Sequence, residues 1–175
     1  SEAARLRNRP PQRQLSRLTG AQLQQSLADL YQHFHGTPWR ENKRGLNGSY
    51  FNANRWKKEE LKVERIDSVL DFDFGKEAPV EGVEANEFYI NWSGALRPNY
   101  TGRYEIVVHS TCSFKLRFGT YDNVLINNHV QSEGKTEFRR TLNLIGGRPY
   151  QIKIDFTQRK RKTEQPPAKF SLRWV

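Results

Sequence analysis

The chain has one cysteine, no methionine, few acidic residues for its basic content, and no apolar run near the ~20 residues that span a bilayer. Each shortage excludes something. Cys112 has no partner for an internal disulfide, so packing must supply the stability. No Cys-x-x-Cys-His occurs, so haem attachment through that motif is ruled out. The first residues are polar and arginine-rich without an apolar h-region, and no signal peptide is visible. The missing methionine and the abrupt Ser1-Glu2 start suggest a segment cut from a longer precursor. At 175 residues the chain suits one domain with an appendage, large enough to bury a core.

The deficit of acid leaves a formal charge of +10, concentrated in two places. Residues 1–18 set five arginines against Glu2, and residues 158–169 set Arg159, Lys160, Arg161, Lys162 and Lys169 against Glu164. A nucleic-acid domain spreads its basic residues over a folded face, often with interleaved aromatics. Here they occupy a tail and a loop, which argues against nucleic acid as the partner. Two readings of Arg159–Lys162 remain: solvated surface charge, or attraction to an acidic polymer.

The chain divides into an N-terminal part over 1–40 and a β-rich part over 41–175. Pro10-Pro11 discourages helix in the basic arm. Thr19 and Gln22 have capping-box spacing, and Leu23, Leu27, Leu30, Tyr31 and Phe34 share one helical face before Gly36 and Pro38. An amphipathic helix is predicted there, with Trp39 packed between it and the β-rich part. From Gly45 onward the periodicity is two. Leu46–Phe51 opens, then Leu70, Phe72 and Phe74 share one face. Phe88, Ile90 and Trp92 alternate with Tyr89, Asn91 and Ser93; Tyr104, Ile106 and Val108 come after a turn at Arg97-Pro98-Asn99. The same alternation recurs in 114–118, 138–144, 150–156 and 170–174, with a turn at Gly146-Gly147-Arg148-Pro149. Residues 55–68 are charged and read as a helical turn or surface loop. The predicted fold is mainly β: an antiparallel two-sheet sandwich with one N-terminal amphipathic helix.

Trp92-Ser-Gly, the proline-bearing turn and the Thr101-Gly-Arg-Tyr104 restart, together with Arg65-Ile-Asp-Ser-Val-Leu-Asp-Phe-Asp-Phe74, resemble the protective-antigen-type β-sandwich family. This module is appended to bacterial glycosidases, adhesins and toxins, where it often binds carbohydrate. A shorter resemblance, within residues 16–30, is to helical segments of large secreted bacterial cytochrome-bearing proteins of unknown function. The first resemblance implies a lectin-like carbohydrate-binding or adhesion module of a larger, secreted or cell-surface bacterial protein. The alternative is a structural or protein-interaction domain without a sugar site.

Lectin members of the family hold calcium with two consecutive aspartates at the end of the strand matching Tyr104–His109. Thr111 and Cys112 stand at those positions. A hydroxyl and a thiol replace two carboxylates poorly around a hard cation, so the expectation is calcium-independent binding with no metal or other cofactor. The next segment offers Tyr121, Asp122, Asn123, Asn127 and Asn128, whose amides, carboxylate and ring suit sugar hydroxyls and ring faces. Turn chemistry explains Asp122-Asn123 equally well. Trp56, in polar surroundings, is a further stacking candidate, whereas Trp92 and Trp174 lie on apolar strand faces and read as core.

No catalytic set converges. His33 and His35 point about 200° apart on a helix, and adjacent His109 and Ser110 face opposite sides of a strand. Asp71 and Asp73 share a strand face about 7 Å apart, a spacing open to paired carboxylates, but a surface or turn-stabilising role suits them better. The sequence therefore predicts a binding module without catalytic residues.

Overall fold

The computed structural model describes residues 44–52, 60–120, 122–131 and 134–175. The chain divides into two units, Ser1–Asn42 and Lys43–Val175, and every described residue belongs to the second. The basic arm, the expected helix, Trp39, Trp56 and Tyr121 lie outside the described residues.

Ten strands run in order: β1 (Leu46–Asn52), β2 (Glu60–Asp67), β3 (Asp71–Gly75), β4 (Phe88–Leu96), β5 (Gly102–Ser110), β6 (Ser113–Gly119), β7 (Val124–Asn128), β8 (Glu137–Leu144), β9 (Tyr150–Gln158) and β10 (Ala168–Trp174). They form a six-stranded sheet in the order β2-β1-β4-β9-β6-β7 and a four-stranded sheet in the order β3-β10-β5-β8. Every pairing is antiparallel. The two-sheet β architecture expected from the period-two signal is therefore present.

Burial follows the alternation. Phe88, Ile90 and Trp92 of β4 and Ile152, Ile154 and Phe156 of β9 are buried, while the residues between them are turned towards solvent. Trp92 is fully buried, with its ring stacked on Phe170 at 5.0 Å and on Phe72 at 5.6 Å. Tyr50 meets it edge-on, and Phe156 packs against it at a tilt. Each such aromatic, taken out of water, contributes about 1.5–3 kcal/mol, which is how the sandwich holds without a disulfide.

The second half of the charged stretch 55–68 is strand β2, not the helical turn or surface loop expected from its composition. β2 is an edge strand with Asp67 as its one buried residue, so it carries no apolar alternation to mark it. Its lysine and glutamates suit an edge, where charge discourages pairing with another chain.

Asp67 ties this edge to the core. Its carboxylate accepts the Tyr50 hydroxyl at 2.6 Å, the Trp92 indole N–H at 2.8 Å and the Arg65 Nε–H at 2.8 Å. Gly48 makes room for it, since a Cβ there would lie 2.5 Å from Asp67 Oδ2 and 3.1 Å from the Trp92 ring.

Antiparallel order fixes where the connections go. The β5–β6, β7–β8 and β9–β10 connections all emerge at the pole marked by Ser113, Asn128 and Gln158. The β4–β5, β6–β7 and β8–β9 turns emerge at the other.

Candidate functional site

Three connections meet at the first pole. Thr111 and Cys112 form the corner between β5 and β6, residues 129–136 link β7 to β8, and residues 159–167 link β9 to β10. Side-chain bonds hold them together. Thr111 Oγ1 donates to the Pro167 carbonyl at 2.7 Å and accepts the Lys169 N–H at 2.9 Å. Gln131 Nε2 donates to the Thr111 carbonyl at 2.7 Å. Asn128 donates to the Cys112 carbonyl, and the Cys112 thiol donates to Gln158 Oε1. Burial pushes the thiol up to about 11, so it is a neutral packing group near neutral pH. Gln165 secures the longest connection, donating to the Arg159 carbonyl at 2.6 Å and the Asn86 carbonyl at 2.7 Å.

Between these connections lies an open cleft of about 300 Å³. Its floor is polar strand end: Ser113 of β6 with Thr157 and Gln158 of β9. One wall is His129, Val130 and Gln131; the other is Arg159, Lys160 and Arg161. No carboxylate lines it among the described residues. Both arginines are braced from the opposite wall. The Arg159 Nη2 group lies 2.9 Å from His129 Nε2, and the Arg161 Nη2 group donates to Gln131 Oε1. A guanidinium carries five N–H donors, so each braced arginine keeps others for a ligand. Lys162, exposed, stands one residue beyond the lining.

The residues proposed from sequence are therefore split. Arg159, Lys160 and Arg161 share the cleft. Asn127 and Asn128 end β7 at the same pole, where Asn128 is buried and Asn127 Oδ1 accepts the His129 N–H at 3.1 Å. Asp122 and Asn123 sit at the opposite pole, about 16 Å away along β7 at strand rise. Asn123 stabilises its own turn there, donating to the Phe118 carbonyl at 2.9 Å. Tyr121 and Trp56 lie outside the described residues; Asn52 and Glu60, which flank the segment carrying Trp56, pair at the cleft pole.

His129, Gln131, Ser113 and Thr157 were not singled out from sequence. Counting strands would have found them, because in antiparallel order every second connection returns to the same pole.

The other chemistry considered from sequence finds structural roles. Ser110 is buried with its hydroxyl on the Cys112 carbonyl at 2.9 Å, whereas His109 is on the outer side of β5. Asp73 accepts the Gly75 N–H and pairs with Lys169 at 3.1 Å. On the outer face of the six-stranded sheet, Asp155 accepts from Tyr89, Asn91 and Arg117. Partial burial works against its charge, but these three donors prevail and hold the carboxyl below its usual range.

Comparison with known proteins agrees with this architecture. The model of the PA14 domain matches residues 42–175. The anti-sigma-I factor RsgI3 of Acetivibrio thermocellus is 27% identical over 117 residues, covering 67% of this chain and 17% of that protein. This chain thus spans about a sixth of that relative's length. An anti-sigma factor domain-containing protein from Clostridium clariflavum has a TM-score of 0.65 at 21% identity, over 76% of this chain and 42% of its own. The epithelial adhesin 6 A domain of Candida glabrata, solved with Galβ1-3GlcNAc, has a TM-score of 0.57 at 16% identity, over 76% and 80%. These two likenesses are of fold. With the family model matching most of the chain, residues 42–175 belong to the PA14 domain family.

Proposed function

We propose that this PA14 domain is a non-catalytic, calcium-independent glycan-binding module that selects acidic polysaccharides, carried by a larger secreted or cell-surface bacterial protein. The observation that carries the reading is the charge of the cleft: Arg159, Lys160 and Arg161 along one wall and no carboxylate among the described lining residues. In the lectins this chain resembles, paired aspartates at the Thr111 and Cys112 positions hold calcium. Here the hydroxyl and thiol are turned to internal bonds, and the cleft beside them has the sign opposite to that of a cation site. Guanidinium groups pair with uronate carboxylates or sulfate esters through parallel N–H donors. The bond from Arg161 to Gln131 holds that guanidinium in place and lowers the cost of ordering it around such a ligand. The sugar complex of the Candida adhesin supports a glycan as the class of ligand.

An array of neutral, uronic and sulfated polysaccharides, followed by calorimetry on each hit, tests the reading. Binding to acidic members only is expected. Binding to neutral glycans alone, or to none, contradicts it, and equal affinity for a random DNA duplex would reduce it to generic attraction for polyanions.

A further inference from the structure

One imidazole, His129, lines the cleft, and imidazole is the side-chain type suited to a proton switch near neutral pH. His129 is exposed at the end of β7, with Nε2 2.9 Å and Nδ1 3.3 Å from the Arg159 Nη2 group. A guanidinium only donates hydrogen bonds, so this contact needs a lone pair on the imidazole, which only the neutral ring has. Protonation removes the acceptor and leaves two cations against each other at the mouth of a cleft already lined by Lys160 and Arg161.

We infer that His129 is a ligand-contacting residue whose protonation tightens the hold of the cleft on anionic groups. The inference rests on the acidic-glycan reading for its natural ligand, but its geometry concerns any anion. With the ring neutral, Arg159 spends a donor on His129. With the ring charged, both side chains present N–H donors to the cleft, and an anion between them relieves their repulsion. Proton and anion then favour one another, and the coupling is reciprocal.

The groups facing His129 among the described residues leave the sign clear. The β9–β10 connection contributes Arg159, Lys160 and Arg161, and the other described lining residues, Ser113, Val130, Gln131, Thr157 and Gln158, carry no charge in this range. Uronate carboxylates and sulfate esters stay ionised throughout, so the ligand does not supply the pH dependence.

The test is calorimetry with inorganic sulfate and with a galacturonate trisaccharide at about pH 8 and about pH 5.5, either side of the ordinary imidazole range. For the parent, both ligands are expected to bind about three- to tenfold tighter at the lower pH, as one added charge at ~6 Å gives in a hydrated site. His129→Gln, which accepts from Arg159 but never ionises, should bind weakly and equally at both values. His129→Lys, charged at both, should bind tightly and equally. A pH-independent parent, or a His129→Gln variant that keeps the dependence, overturns the inference. Trisaccharide binding without pH dependence leaves the glycan reading standing and removes this one. Proton-coupled sulfate binding without any glycan binding does the reverse. Failure of both ligands at both values removes both.

Discussion

The Thr111 hydroxyl donates to the Pro167 carbonyl at 2.7 Å, and through that bond the β5–β6 corner holds the returning end of the basic connection. The same oxygen accepts the Lys169 N–H, so a single hydroxyl serves as donor and acceptor between two connections. Thr111→Val removes both bonds and should cost about 1–2 kcal/mol in urea unfolding. It should also weaken acidic-glycan binding, because the wall carrying Arg159 and Arg161 loses its anchor. Thr111→Ser keeps the hydroxyl and should match the parent in both measurements.

Calcium should have no effect. With Thr111 and Cys112 engaged internally, the cleft offers a hard cation no carboxylate among its described lining. The melting temperature should be the same with millimolar calcium and with chelator. A rise of several degrees on adding calcium, reversed by chelation, would show a site that binds it.

The Asp67 network should be intolerant of change. Gly48→Ala places a methyl 2.5 Å from Asp67 Oδ2 and should cost about 1–3 kcal/mol, since both the carboxylate and Trp92 are packed. Asp67→Ala strands the Trp92 and Tyr50 donors in the core, while the exposed Arg65 loses its carboxylate partner to solvent. Its cost should be larger, about 3–5 kcal/mol, because two buried donors are left without their acceptor. Denaturant titration of the two variants checks the order.

Asp155 gives a pH dependence with a definite sign. Its folded carboxyl is held below its usual range by bonds from Tyr89, Arg117 and Asn91 that outweigh the cost of partial burial. The resulting stability is therefore full above the unfolded value and is lost as pH falls through the lower, folded one. Asp155→Ala should cost about 1–2 kcal/mol near pH 6, a figure kept modest because the pair is partly solvated. The gap from the parent should shrink towards about pH 2.5, below the usual aspartate range. A gap that does not change with pH would mean that packing, rather than charge, sets the cost.

The strands that build the core were legible because Phe88, Ile90 and Trp92, or Ile152, Ile154 and Phe156, bury every second residue. β2 was not, since an edge strand whose buried residue is an aspartate has nothing apolar to alternate. The basic half of the cleft was visible as a charge run. Its other half was not: His129 and Gln131 are unremarkable in sequence and acquire a role only when β7 ends beside β9. Asp122 and Asn127 show the opposite case. They are close along the chain, yet a strand of five residues separates them to opposite poles.

Whether the basic wall is the binding surface is settled by one comparison, calorimetry of a galacturonate oligomer against the parent and against the variant with Arg159, Lys160, Arg161 and Lys162 all changed to serine, over a series of salt concentrations. Each cation that meets the polymer releases counterions, so parent affinity should fall steeply with salt. The variant should bind weakly with a nearly flat salt dependence and melt close to the parent, because these side chains are exposed and outside the core. A variant that binds as tightly as the parent at low salt would show that Arg159–Lys162 is only solvated charge.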